Sequence, residues 1–210
     1  MTALIKITTE QNVAILTMNT AENRHNPSFI AELNQHLDSI EANGDINAVV
    51  LTSSSDKSWS LGIDLQWMAS PDNTPAVIAD FMNSIGQLFK RIVTFPMPII
   101  AALNGHTYGN GSVLACACDF RFMKSDKGFF CFPEVDVLVP FVPSMFPIIN
   151  KAINPQFFNR LAMTGERVDA NKLLQQNVVE AIFADEQALQ TGVLEFAQSF
   201  NKNRWIYAQN

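Results

Sequence analysis

Pro98-Ile99-Ile100-Ala101-Ala102-Leu103-Asn104-Gly105-His106-Thr107-Tyr108-Gly109-Asn110-Gly111 is the stretch on which the reading of this chain turns. Pro98 to Leu103 is an uninterrupted apolar run, the pattern of a strand covered on both faces. The glycine-rich turn after it leads into a short apolar helix, expected from Ser112 to about Cys118. The same order occurs upstream. Ala48-Val49-Val50-Leu51-Thr52 predicts a buried strand, and residues 53–66 a loop that contains Trp59-Ser60-Leu61-Gly62-Ile63-Asp64-Leu65. Glycine permits backbone angles at which N–H groups turn toward one point, and a helix start adds partial positive charge there. A lone turn of this kind is usually only a turn. The glycine spacing is not the dinucleotide fingerprint, and no Gly-Lys-Ser or Gly-Lys-Thr follows.

Outward from these loops, residues 4–8 and 12–18 predict two short strands joined at Glu10-Gln11-Asn12. Residues 19–28 are polar and irregular. Asn26 and Pro27 predict a helix start, with Phe29, Ile30, Leu33, Leu37 and Ile40 as its apolar stripe and Gly44 at its end. A second helix is expected from Thr74-Pro75, with a stripe from Val77 to Ile92, until Pro96 and Pro98 stop it. Residues 119–123 and 129–132 read as strands. Beyond Val139, prolines at 140, 143, 147 and 155 divide the chain into short helices, and residues 169–176 and 185–200 are amphipathic. This alternation predicts an α/β fold with a helical tail: a core over residues 1–140 and a helical segment over 141–210 of the same domain.

The 210 residues are 48% hydrophobic and 16% charged, enough for one domain with a sizeable core. A net charge of −6 gives no reason to expect nucleic acid or an anionic membrane as partner. No run approaches the roughly 18 apolar residues of a membrane span, and residues 1–10 lack the pattern of a signal peptide. A cytoplasmic location is the expectation. Cys116, Cys118 and Cys131 do not read as a disulfide framework, and no histidine has metal-ligand spacing. No metal is expected.

The segment quoted above, continued by Leu114-Ala115-Cys116-Ala117-Cys118-Asp119-Phe120-Arg121, resembles the second oxyanion loop and helix of the crotonase (enoyl-CoA hydratase/isomerase) family. Trp59 to Leu65 resembles its first oxyanion loop, Phe132-Pro133-Glu134-Val135 its Pro-Glu motif, and Leu161-Ala162-Met163-Thr164-Gly165-Glu166 its Leu-Thr-Gly-Glu segment. The pieces run in the family's order from about residue 5 to residue 200.

The resemblance implies a ββα spiral core with a C-terminal helical trimerisation segment, an acyl-CoA substrate, no cofactor beyond the coenzyme A of that substrate, and a homotrimer or hexamer. It assigns backbone N–H groups of Ile63 and Asn110 to an oxyanion hole, which stabilises a thioester enolate. Of the two glutamates of a hydratase, one position is Val113 and the other Glu134. One carboxylate kept and one lost resembles Δ3-Δ2 enoyl-CoA isomerases, with Glu134 as catalytic base, and Glu134-Val135-Asp136-Val137 is similar to the Glu-Val-Asp stretch of short plant and peroxisomal isomerases. If Phe130, Phe132, Val135 and Val137 enclose Glu134, desolvation raises its pKa. The resemblance further implies that Arg24, His25, Asn26, Ser60, Asp64 and Leu65 bind coenzyme A. Leu61, Trp67, Met68, Phe81, Val113 and Phe141 are candidates for the acyl pocket. Leu138 stands where relatives often carry glycine, and the chain ends at Asn210, earlier than most hydratases. Three alternatives stay open: another crotonase-type reaction (hydrolysis, decarboxylation or C–C cleavage) using Asp64, Asp136 or His106; a catalytically silent CoA-binding trimer; and a serine hydrolase with Ser112 as nucleophile, although no Gly-x-Ser-x-Gly elbow is present.

Overall fold

The structure is a computed structural model that describes residues 3–209. Strands β1 (Ile5–Glu10) and β2 (Val13–Met18) form an antiparallel hairpin, and α1 (Pro27–Ala42) follows. Asn26 caps α1 by accepting from the Phe29 N–H, with Pro27 in the first turn, as the sequence predicts; the closing residue is Asn43 rather than Gly44. The chain then makes three similar rounds. The first is β3 (Ala48–Ser53), β4 (Ser58–Ser60), α2 (Leu65–Met68) and α3 (Pro75–Val93). The second is β5 (Ile99–Leu103), β6 (His106–Tyr108) and α4 (Asn110–Ala117). The third is β7 (Phe120–Lys124), β8 (Phe130–Cys131) and α5 (Glu134–Val137). Helices α6 (Met145–Ala152), α7 (Pro155–Thr164) and α8 (Ala170–Gln175) lead to β9 (Ala181–Phe183), α9 (Glu186–Gln198) and α10 (Arg204–Gln209).

Each round places one strand in each of two sheets. The large sheet has the order β1-β2-β3-β5-β7-β9, parallel from β2 onward, and the small one the order β4-β6-β8, all parallel. The unbroken apolar runs of β3 and β5 follow from cover on both faces. Val49, Leu51, Ile99 and Ala101 join the main core with α1, α3 and α4, whereas Ala48, Val50, Ile100 and Ala102 pack under Leu189, Val193 and Ala197 of α9. The C-terminal segment is thus not only helical, since β9 completes the large sheet.

The small sheet positions the site. Its parallel register brings the carboxyl ends of β4, β6 and β8 together, with Ser60 opposite Thr107 and Tyr108 opposite Cys131. The three segments that leave these ends are Leu61-Gly62-Ile63, Gly109-Asn110 and Phe132-Pro133-Glu134. They therefore meet although they lie far apart in sequence.

Arg121 on β7 holds the end of α4. Its buried guanidinium donates to the carbonyls of Ala115 (3.3 Å), Cys118 (2.7 Å), Asp119 (3.3 Å) and Val178 (2.8 Å). Arg121→Leu removes these donors and leaves buried acceptors unpaired, so a loss of about 3–5 kcal/mol is expected in urea unfolding. A change under about 1 kcal/mol would show that water replaces the guanidinium without difficulty.

Candidate active site

Gly62 has φ +77°, and a Cβ there would lie 2.8 Å from both the Asn110 nitrogen and the Tyr108 carbonyl oxygen. The first two loops thus touch backbone to backbone, a contact only glycine allows. The peptide groups at this contact are oriented. The Gly62 carbonyl accepts from the His25 N–H at 2.8 Å. In a trans peptide the C=O and N–H point opposite ways, so the Ile63 N–H faces away from that bond. The Gly109 carbonyl accepts from the Val113 N–H at 3.1 Å inside α4, so the Asn110 N–H projects from the helix start. Among the described residues neither N–H donates to a protein acceptor.

Glu134 comes from the third loop. Its Oε1 lies 3.7 Å from where a Gly109 Cβ would stand, which sets the carboxyl beside the start of α4. Ile63, Asn110 and Glu134 share a cavity of about 390 Å³, with Leu61, Leu65, Met82, Phe141 and Met145 among its apolar walls. Glu134 Oε2 is buried without a hydrogen-bond partner. Burial pushes the carboxyl up from 4.5 to about 7, against an opposing hydrogen bond from its own backbone N–H. The enclosure expected from flanking residues is only partial, because Val135 and Val137 are exposed. Residues distant in sequence complete it.

The cavity brings together Arg24, Leu61, Ile63, Leu65, Asn110, Glu134 and Phe141. It does not include His25, Asn26, Ser60, Asp64, Trp67, Met68, Phe81 or Val113. Asn26 and Asp64 cap α1 and α2 and bond each other at 3.3 Å. His25 and Ser60 are buried and hydrogen-bonded to one another at 3.0 Å. Trp67 packs edge-on to Phe81 at 4.8 Å, Met68 lies against the core, and Val113 is fully buried in α4. Arg24 pairs with Glu22 and donates to the carbonyls of Leu61 (3.1 Å) and Ile63 (3.3 Å), which ties down the first loop.

Ser112 is fully buried, with its Oγ 2.7 Å from the Thr107 carbonyl and 2.8 Å from that of Cys131. It is not a cavity residue. His106 is occupied at Nδ1 by the Phe129 N–H, and of the other acids proposed above only Asp136 reaches the cavity. Sequence reasoning missed Tyr108, Cys131, Met82, Met145 and Arg167, whose guanidinium lies 5.6 Å over the Tyr108 ring. Tyr108 and Cys131 end the short strands β6 and β8, so strand boundaries were the signal for them. Met145 lay in a stretch read only as short helices, and Met82 showed no more than a core stripe. Among the described residues no helix is long and apolar enough to cross a membrane, and no cluster of three His, Cys, Asp or Glu side chains is arranged to hold a metal.

The sequence profile of the family described as enoyl-CoA hydratase/isomerase matches residues 8–209. Enoyl-CoA delta isomerase 2, peroxisomal, of Arabidopsis thaliana is 25% identical over 196 residues, covering 89% of this chain and 81% of its own. The mitochondrial Delta(3,5)-Delta(2,4)-dienoyl-CoA isomerase of Rattus norvegicus is 29% identical over 218 residues, 98% of this chain and 66% of its own. In fold, an enoyl-CoA hydratase/carnithine racemase from Magnetospirillum magneticum superposes with a TM-score of 0.89 at 22% identity, covering 99% of this chain and 80% of that one.

Proposed function

Because this chain belongs to the enoyl-CoA hydratase/isomerase family and has the α/β crotonase fold of two sheets and C-terminal helices, we propose that it moves the double bond of a 3-enoyl-CoA to C2. Glu134 as carboxylate takes a proton from C2. The electrons move onto the thioester oxygen, which rests on the Ile63 and Asn110 N–H groups. The enolate then takes the same proton back at C4, leaving the bond conjugated with the carbonyl. No water is consumed, and Glu134 ends as it began.

The observation that carries this reading is a partly desolvated carboxyl, titrating near neutrality, in one cavity with two free and oriented N–H groups. A proton carrier works best when its pKa lies near the working pH. Val113 supports the choice over hydration. By the resemblance given above it stands where a hydratase carries its other glutamate, and its fully buried aliphatic side chain cannot orient a water. Arg24, in the segment before α1, and Leu65, at the end of the first loop, both line the cavity and are the residues we assign to coenzyme A, and Leu61 and Phe141 those we assign to the acyl chain. A homotrimer or hexamer belongs to the same reading.

Incubation with a 3-enoyl-CoA and, separately, a 2-enoyl-CoA tests it. The expected result is conjugated thioester absorbance from the first and hydration of the second at background rate only. Rapid hydration, or release of free coenzyme A without isomerisation, would replace the proposal with another reaction of the family.

A further inference from the structure

Asn110 brings a side chain to the place where the two oxyanion loops meet, and that side chain is engaged. Its Nδ2 donates to His25 Nδ1 at 2.8 Å. With Nδ1 an acceptor, Nε2 carries the ring proton and donates to Ser60 Oγ at 3.0 Å. The Ser60 hydroxyl donates to the Asn23 carbonyl at 2.9 Å, and the same oxygen accepts the Gly62 N–H at 3.2 Å. A continuous path thus runs from the residue whose N–H forms one half of the hole to the peptide next to the other half. Its members are buried, and the His25 ring is held by stacking on Phe29 at 4.7 Å. Burial, with Arg24 adding, pushes the imidazole down to about 3, so it bridges as a neutral group throughout the physiological range.

The arrangement has a cost. Asn110 Oδ1 is buried and unpartnered, which disfavours the fold. Glycine at 110 would keep the backbone N–H and avoid that cost, but would leave the buried His25 Nδ1 without its donor, so the two effects on stability offset. His25 also bridges the first loop through its backbone, donating to the Gly62 carbonyl and accepting from the Asp64 N–H at 2.9 Å. One residue therefore holds both halves of the hole.

We propose that Asn110 and His25 are positioning residues that fix the spacing of the Ile63 and Asn110 N–H groups through the Asn110–His25–Ser60 relay. This rests on the oxyanion role given above to those groups. A small misplacement of reacting groups can cost as much as 10²-fold in rate. Asn110→Gly is expected to lower kcat about 10- to 100-fold with KM and Tm little changed. His25→Leu is expected to lower kcat likewise but also to lower Tm, because it leaves the buried Asn110 Nδ2 without its acceptor. The double variant is expected to be no slower than the slower single one, because both break one bridge. Two independent packing defects would instead multiply.

A second readout does not need turnover. The carbonyl stretch of a bound saturated acyl-CoA, read by difference infrared spectroscopy, should move to lower frequency in the wild type and return toward its free value in Asn110→Gly. Wild-type protein that polarises the carbonyl yet isomerises nothing would sink the proposed reaction and leave the relay standing. Full kcat and full polarisation in Asn110→Gly would overturn the relay, even if His25→Leu failed to fold.

Discussion

Glu134→Gln is expected to lower kcat/KM for a 3-enoyl-CoA by about 10³–10⁴-fold while leaving product binding nearly unchanged. The amide keeps the shape of the side chain but carries no transferable proton at neutral pH. In the proposed reaction the base is the carboxylate, and burial holds that group at about 7. The kcat/KM should therefore rise about tenfold per pH unit below that value and level off above it. The variant should lose this profile.

The same substitution makes a stability prediction with a definite sign. The folded-state pKa lies above the ordinary 4.5, so native protein holds a proton that the unfolded chain releases. Between these two values stability falls as pH rises, and above about 7 the full penalty of a buried charge is present. Glutamine carries no such penalty. Glu134→Gln should therefore be more stable than the wild type by about 1–3 kcal/mol near pH 8, and no different near pH 4. Urea unfolding at the two pH values measures both. Retained rate in the variant would remove Glu134 from the chemistry, and equal stability at high pH would mean the carboxylate finds water.

Gly62→Ala is the second large effect. At φ +77° a side chain costs roughly 1–2 kcal/mol. Here the added methyl also meets the backbone of the other loop, 2.8 Å from the Asn110 nitrogen and the Tyr108 oxygen, and neither can rotate away. A destabilisation of about 2–4 kcal/mol is expected. The rate should fall by about 10²–10³, the loss seen when one oxyanion donor is removed, because the methyl forces the two loops apart. Gly86→Ala in α3 is the control. A Cβ at Gly86 meets nothing within 4 Å, so the change should leave activity intact and stabilise the helix by about 0.5–1 kcal/mol. Equal losses in both variants would assign the effect to glycine content and not to the loop contact.

Much of this architecture was legible in the chain itself. Asn26-Pro27 and Thr74-Pro75 start α1 and α3 because cap and ring act on neighbouring residues, and β3 and β5 declare their burial by unbroken apolar runs. The loops at Gly62 and Gly109 and the carboxyl of Glu134 were visible as well. The strand at residues 129–132 was also read, and holds β8, but β4 and β6 were not. Ser58-Trp59-Ser60 and His106-Thr107-Tyr108 are too short to show a period, and only pairing with each other makes them strands. The three residues Ala181–Phe183 of β9 escaped for the same reason.

The identities in the site divide along the same physical line. Capping, helical stripes and turn glycines act over a few consecutive residues, so the sequence alone determined them, and with them the alternation of buried strands with helices and the loops that face the cavity. Desolvation of Glu134, the aim of two N–H groups, and the burial of His25 and Val113 each require atoms from segments tens of residues away. Those were decided only when the small sheet drew three loops to one point.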